Sequence, residues 1–278
     1  MITVKPEYMT YGEMAETQRR NWYSEAAAAY DRARPRYPRS ICDRAVQLAN
    51  LSKGDRIVEI GCGPAIATPT FAEMGLKITA IEPSKGQWAI ARQKCEPYDQ
   101  VEVINNTFES WQAEAIEKEE RFDAVLATTS FHWLSPDTRC EKIASLLPQH
   151  GSLILLWNTP PVPSYQIYQK MEPVYQAIAP HLANYADGDS HQENLDEIAQ
   201  SAIDSGYFGN LQTAQMMLEL DYSIDDYLAL LSTLSPYIGL EQEQCDRLFT
   251  ALRQVLEKGV GNTFPTSFLS ALHVMQKL

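Results

Sequence analysis

The sequence predicts an α/β protein built on a doubly wound, mostly parallel sheet. From about residue 41 to residue 158, short apolar runs alternate with segments whose apolar residues recur at helical spacing. The run at 152–157 is almost entirely apolar, which is typical of a strand covered on both faces. Strands that alternate with helices form parallel sheets with helices on either side.

Each element follows from its local pattern. A first helix over Ile41–Leu51 ends at a polar turn that contains Gly54. The predicted strands are Arg56–Ile60, Lys77–Ile81, Val101–Ile104, Phe122–Ala127, Ser152–Trp157, Leu211–Leu220 and Phe268–Gln276. The predicted helices between them are Ala65–Met74, Lys85–Cys95, Thr138–Leu147 and Tyr222–Leu234, the last capped by Ser223. A helical segment is expected from Ser164 to about Gly206, after prolines 160, 161 and 163, which we expect to stay out of the sheet.

The end of the first strand is the most informative segment for function. Gly61 and Gly63 have no Cβ, so the backbone can approach a ligand closely there. Glu82 ends the second strand, about 20 residues later, where a carboxylate can accept hydrogen bonds from a ribose diol. The pattern indicates an adenosine site, although two glycines alone are also typical of a tight turn that binds nothing.

Two motifs that are absent from this segment narrow the choice of ligand. A dinucleotide site needs a third glycine at the position of Ile66, and a Walker site needs a Gly-Lys-Ser/Thr ending that is absent after Gly63. Neither diphosphate site is therefore favoured, and a nicotinamide enzyme is the weakest of the alternatives.

With Glu59, Gly61 and Gly63 in this arrangement, the chain resembles the class I S-adenosylmethionine (SAM)-dependent methyltransferases, whose first motif is an acidic residue followed by Gly-x-Gly-x-Gly. Ala65 stands where the family has its third glycine. Alanine tolerates a positive φ less well, so we expect either an ordinary backbone conformation or a looser turn there. The resemblance implies SAM as the cofactor and a Rossmann-like seven-stranded sheet of order 3-2-1-4-5-7-6 with an antiparallel last strand.

The resemblance also implies a division of the chain. Residues 1–40 would be an N-terminal helical cover, 41–158 the SAM-binding core, 159–210 a helical lid for the substrate, and 211–278 the rest of the sheet with a helical insertion. In the cover, Tyr30 would face the sulfonium and Arg34 the carboxylate of the methionine moiety, unless both belong to a solvated basic turn. The expected cofactor-binding residues are Tyr30, Arg34, Glu59, Gly61, Gly63, Glu82, Pro83, Thr107, Phe108 and Thr128, with no metal site.

The segment after the third strand lies where the family contacts adenine. An aromatic ring such as that of Phe108 can stack on a purine, and Asn106 or Thr107 stands where many relatives have an aspartate. Alternatively, Phe108 and Trp111 are core residues beneath the sheet edge.

His132 is the candidate catalytic residue. It follows the fourth strand in a segment, 127–133, similar to that of small-molecule methyltransferases such as the trans-aconitate group. Its ordinary pKa lies near neutral pH, so it could accept a proton from a hydroxyl or amine. Alternatively, it binds backbone and shapes the wall between Phe131 and Trp133. His150, His181, His191 and His273 have no partner at metal-ligand spacing.

Bulk properties limit the partners. The net charge of -13 disfavours a large nucleic acid and suits a small molecule as the methyl acceptor. The five scattered cysteines are expected to be reduced thiols, and the absence of an apolar leader or a membrane-span pattern predicts a cytoplasmic protein. Two alternatives keep the cofactor: methylene transfer to a lipid, as in cyclopropane fatty acid synthases, and SAM binding without catalysis. The oligomeric state is left open.

Overall fold

The structure, a computed structural model, describes residues 23–185 and 188–278. The strands among them form one eight-stranded sheet. The strands are β1 (Arg56–Ile60), β2 (Lys77–Ile81), β3 (Val101–Ile104), β4 (Ala124–Thr128), β5 (Ser152–Asn158), β6 (Val162–Pro163), β7 (Phe208–Ser223) and β8 (Thr263–Lys277). The helices are α1 (Ala27–Ala33), α2 (Arg39–Leu48), α3 (Thr68–Glu73), α4 (Lys85–Cys95), α5 (Phe108–Glu117), α6 (Arg139–Leu146), α7 (Tyr165–Ile178), α8 (Gly188–Asp204), α9 (Ile224–Ser232), α10 (Ser235–Ile238) and α11 (Gln242–Gly259). Short 3₁₀ segments lie at Phe131–Trp133 and Pro180–Leu182.

The predicted α/β fold and its strand order are confirmed. The sheet runs β3-β2-β1-β4-β5-β8, with β7 beyond β8, so its long strands follow the predicted order 3-2-1-4-5-7-6. Strands β1 to β5 are parallel, and β8 is antiparallel to both β5 and β7. The side chains of β5 are buried along the whole strand, because helices cover both faces of the sheet there.

A short strand departs from the prediction. Val162 and Pro163 form β6, which pairs with β8 opposite Ser267 and Thr266. The expectation that these prolines stay out of the sheet is therefore wrong at Pro163. A proline is tolerated in such a position because an edge strand leaves one row of its backbone groups without a strand partner.

Two other boundaries differ from the sequence prediction. Strands β7 and β8 are longer than predicted because they pair as one ribbon from Phe208↔Lys277 to Ser223↔Thr263. Helix α3 begins at Thr68 rather than Ala65, and Ala65 itself has a φ of 55° that is incompatible with a right-handed helix.

The structure also contains a helix that the sequence analysis missed. Helix α5 begins after Thr107, whose side chain accepts a hydrogen bond of 3.3 Å from the backbone N–H of Ser110.

The helices after β5 pack against the sheet and against one another. Helices α7, α9 and α11 enclose an apolar cluster rich in tyrosine, while α8 packs against β7 and β8. Asp196 on α8 bonds to the buried ring of His273 on β8, with an Oδ1–Nε2 distance of 2.9 Å. Of the predicted cover and lid, residues 1–22 and 186–187 lie outside the described residues. Within the described part of the chain, no helix has the length and apolar character needed to cross a bilayer.

The cap of α9 provides a test of the local structure. The hydroxyl of Ser223 accepts a hydrogen bond of 3.1 Å from the backbone N–H of Asp226, as the sequence predicts. We expect Ser223→Ala to lower the free energy of unfolding by about 1 kcal/mol, because that N–H loses its acceptor. Urea denaturation measures the change.

Ser164→Ala is the matched control for this prediction. Ser164 occupies the same position before α7 but makes no side-chain capping bond, so its loss should change stability much less. Equal effects of the two substitutions would contradict the capping role.

Candidate functional site

A cleft of about 920 Å³ opens at the carboxyl ends of the parallel strands. Ligands of open α/β sheets bind in this position, where the strand order reverses beside β1. The loops after β1 to β5 form its floor, and parts of α1, α8 and α10 form its walls. The predicted residues that line it are Tyr30, Arg34, Gly61, Gly63, Glu82, Pro83, Thr107, Phe108, Thr128 and His132.

The turn after β1 has an unusual backbone. Gly61, Gly63 and Ala65 have φ angles of 61°, 59° and 55°, so every second residue is left-handed. The alternative of an ordinary conformation at Ala65 is therefore not what the structure shows. A Cβ on Gly61 would lie 2.9 Å from the Cβ of Ser130, which is closer than two carbon atoms can pack. Glycine is required there by the fold itself.

Glu82 joins the second strand to this turn. One carboxylate oxygen accepts the backbone N–H of Gly63 at 2.9 Å, and the other accepts that of Ser84 at 2.8 Å. Asn105, at the end of β3, donates to the backbone oxygens of Glu82 and Pro83 at 2.9 and 3.1 Å. Burial raises the pKa of Glu82 to about 7, opposed by the two N–H groups. Each oxygen keeps accepting capacity for a ligand hydroxyl.

Glu59 lies behind the wall of the cleft. Its side chain is 0% exposed and accepts hydrogen bonds from the hydroxyls of Thr68 at 2.6 Å and Thr128 at 2.8 Å. Burial raises the pKa of Glu59 to about 7, although both hydroxyls oppose the rise. Unlike the other predicted residues, Glu59 does not line the cleft, and its carboxylate fastens α3 and β4 to β1.

His132 lies in an aromatic part of the wall. Its ring centroid is 4.6 Å from that of Trp133 and 5.6 Å from that of Trp157. The side chain is exposed to the cleft, and desolvation by the protein around it, with the charges of Arg139 and Arg34, lowers the pKa of His132 below its ordinary value of 6.5. The imidazole is therefore neutral at pH 7, the form that can accept a proton or a hydrogen bond.

Arg34 is held by protein contacts. Its Nε donates to the hydroxyl of Thr233 at 2.9 Å, and a terminal nitrogen donates to the backbone oxygen of Thr233 at 3.0 Å. The guanidinium also lies 4.7 Å from the ring centroid of Tyr30. These contacts join the end of α1 to the end of α9 and place Tyr30 and Arg34 at the cleft, so the alternative of a solvated turn does not describe them.

The residues that follow β3 contribute both to the lining of the cleft and to the core. Phe108 is 4% exposed and belongs both to the lining of the cleft and to the core beneath it. Trp111 packs on Phe122 with 5.6 Å between ring centroids, in agreement with the core interpretation of that residue. Asn106 accepts the backbone N–H of Thr107 at 2.9 Å.

Several lining residues were not predicted from the sequence. The hydroxyl of Tyr37 bonds to that of Thr129 at 2.7 Å, and the amide of Asn158 donates to the backbone oxygen of Pro35 at 3.2 Å. From α8, the lining residues are His191, Asn194, Leu195 and Ile198. Their spacing places them on one face of a helix, and the sequence shows this spacing. The sequence does not show that this face contacts the cleft.

The sequence comparisons find similarity over the central part of the chain. Residues 57–151 match a family described as methyltransferase domain. An uncharacterized methyltransferase of Mycobacterium tuberculosis is 29% identical over 138 residues, which cover 49% of this chain and 52% of the relative. An uncharacterized methyltransferase-like protein of Schizosaccharomyces pombe is 28% identical over 176 residues, covering 62% of this chain and 66% of the relative. The chain spans about half the length of the first curated relatives it matches.

Solved structures share the fold at low sequence identity. A protein of Anaeromyxobacter dehalogenans described as a type II methyltransferase superposes with a TM-score of 0.60 at 16% identity, covering 87% of this chain and 97% of that one. One from Anabaena variabilis, described as a methyltransferase from an antibiotic biosynthesis pathway, gives 0.53 at 17%, covering 83% and 96%. These likenesses support the Rossmann-like sheet.

The contact between Gly61 and Ser130 yields a stability prediction. We expect Gly61→Ala to lower the free energy of unfolding by about 2–4 kcal/mol, since a left-handed alanine costs about 1–2 kcal/mol and the clash with Ser130 adds to it. Chemical denaturation of both proteins measures the difference. Gly206→Ala is the control, because Gly206 has a positive φ of 76°, nearer to that of Gly61, and nothing within 4 Å of an added Cβ. If both variants lose the same stability, the close approach of Gly61 to Ser130 does not contribute to the free energy of unfolding.

The buried carboxylate of Glu59 predicts a pH dependence. Its pKa is higher in the folded protein than the ordinary value of 4.5, so the folded state binds the proton more tightly. Stability is then lost as the pH rises from about 4.5 to about 7, by about 3–4 kcal/mol. Glu59→Gln cannot ionise, and we expect its midpoint of thermal unfolding to fall less between pH 5 and pH 8. Glu102→Gln, at an exposed position, is the control, and its midpoint should change with pH as in the original protein. If the midpoint of Glu59→Gln also changes in that way, the Glu59 carboxyl does not titrate in this range.

Proposed function

We propose that this protein is a SAM-dependent methyltransferase that transfers a methyl group to a small molecule. The observation that carries the proposal is the unit formed by the glycine turn and Glu82. Gly63 donates its N–H to the Glu82 carboxylate at 2.9 Å, at the floor of the cleft and within the part of the chain that matches the methyltransferase domain.

The residues of the cleft fit an adenosyl ligand without phosphates. Gly61 and Gly63 line the floor of the cleft without side chains of their own. Glu82 would accept the ribose hydroxyls. Pro83, Thr107 and Phe108 would border the adenine, while Tyr30 and Arg34 would face the methionine moiety and Thr128 the floor beside it.

Bound SAM supplies an activated methyl group, so this chain's own residues mainly have to orient the acceptor and keep water out. The aromatic wall around His132 provides an apolar setting for the acceptor. The neutral imidazole of His132 would accept the proton of an acceptor hydroxyl. Helix α8 covers one side of the cleft and would contribute to the choice of acceptor.

The dimensions of the cleft support a small acceptor. Sites for small ligands occupy about 300–1,000 Å³, and a cleft of about 920 Å³ leaves space for a second molecule beside the cofactor. The net charge of -13 is unfavourable for a polyanionic acceptor such as a nucleic acid.

Binding of S-adenosylhomocysteine (SAH), the product of methyl transfer, tests the site directly. We expect calorimetry to show binding by the original protein and about 10- to 100-fold weaker binding by Glu82→Ala, because hydrogen bonds to a charged group contribute about 1.5–3 kcal/mol. Glu102→Ala, on the exposed edge strand β3, is the control and should bind normally. Undiminished binding by Glu82→Ala would refute the placement of the ribose.

Catalysis is tested separately from binding. Incubation with methyl-labelled SAM and an extract of small metabolites should transfer label to a small product. A protein that binds SAH yet labels no metabolite would be a SAM-binding protein without methyltransferase activity.

A further inference from the structure

We infer that the methyl acceptor is a phenol, whose aromatic ring packs against the rings around His132 and whose hydroxyl is the methylated group. This inference rests on the proposed function and goes beyond it by naming the chemical class of the acceptor.

Aromatic rings dominate the part of the cleft around His132. Besides Trp133 and Trp157, which lie 4.6 and 5.6 Å from the His132 ring, Tyr23 approaches Trp133 with 5.8 Å between centroids in an edge-on arrangement. Tyr30 continues the wall, 5.9 Å from Tyr23. Flat rings bind favourably against such walls because stacked and edge-on contacts add to the burial of apolar area.

The charges at this end of the cleft disfavour an amine acceptor. Among the described residues that line the cleft, Glu82 and Glu109 are the carboxylates, and they follow β2 and β3, on the proposed adenosine side. The loops after β4 and β5 and the helices α8 and α10 contribute none. A protonated amine would therefore lie beside the sulfonium and Arg34 without a counter-charge, and the like charges would repel.

A carboxylate acceptor is the competing class. Of the two cations that line the described part of the cleft, Arg34 already donates to the hydroxyl and backbone oxygen of Thr233 and stacks on Tyr30, while Lys142 lies on α6, so benzoate is included in the test below. A phenol enters uncharged and becomes negative only at the reacting oxygen. That charge develops next to the sulfonium, where it is stabilised.

The reaction balances with His132 as the proton acceptor. The phenol oxygen gives its proton to the neutral imidazole and forms a bond to the methyl carbon. The carbon–sulfur bond breaks, and its electron pair stays with the sulfur. The products are a methyl ether, SAH and a protonated histidine, which returns its proton to water.

Three small probes with a common ring test this inference: 4-methylphenol, benzoate and benzylamine. In calorimetry with SAH present, we expect 4-methylphenol to bind at least tenfold more tightly than the other two. With SAM, the expected product is the methyl ether of 4-methylphenol. Tighter binding of benzylamine or benzoate, or binding of none of the three, would overturn the inference while leaving SAH binding and the proposed function intact. Failure to bind SAH would instead refute the proposed function.

The role of His132 has its own readout. His132→Ala should lower kcat for 4-methylphenol by about 10²- to 10⁴-fold at pH 7, the usual contribution of a proton acceptor. The deficit should shrink as the pH rises toward 10, because the phenol then ionises without help. His150→Asn is the matched control: His150 is exposed, lies between α6 and β5, and has a φ of 65° that asparagine tolerates. A deficit independent of pH would assign His132 a purely structural role.

Discussion

The buried carboxylate of Glu82 is the interaction on which the site depends. It accepts backbone N–H groups from the turn after β1 and from the loop after β2, while its own backbone oxygen accepts the side chain of Asn105 at the end of β3. Three strand ends are thereby held in one arrangement by one residue. The residue is 5% exposed and lines the cleft, and its two N–H donors orient the carboxylate before any ligand arrives.

A second acid extends this arrangement into the core. Glu59 lies on β1 next to the turn, and its bonds to Thr68 and Thr128 tie that strand to α3 and β4. Burying two carboxyl groups in one small region is unfavourable unless each is hydrogen-bonded, and both are. The rise of both pKa values reflects the desolvation that remains. The fold therefore accepts a stability cost at the point where it needs a fixed floor for the cleft.

Local patterns account for what the sequence could predict. The parallel strands were recognisable as apolar runs. The glycines and Glu82 were recognisable because they stand at the ends of two consecutive predicted strands, about 20 residues apart. The missed helix α5 begins at Thr107, where propensity alone does not separate a capped helix from a loop. The extent of β7 and β8 follows from their pairing with each other, which a single segment does not reveal. Tyr37 and the cleft-facing side of α8 join the site through tertiary contacts, and so left no sequence motif. The roles assigned to the individual cofactor-binding residues and to His132 stay predictions.

The rings of Trp133 and Trp157 have a practical consequence. Both indoles border the cleft beside His132, whereas Trp88 and Trp111 lie away from it among the described residues. Indole emission changes with the polarity of its surroundings, so a molecule that displaces water from this wall should change the ultraviolet fluorescence of the protein. The protein thus carries an intrinsic optical reporter of occupancy, and ligands can be screened in solution without attaching a dye.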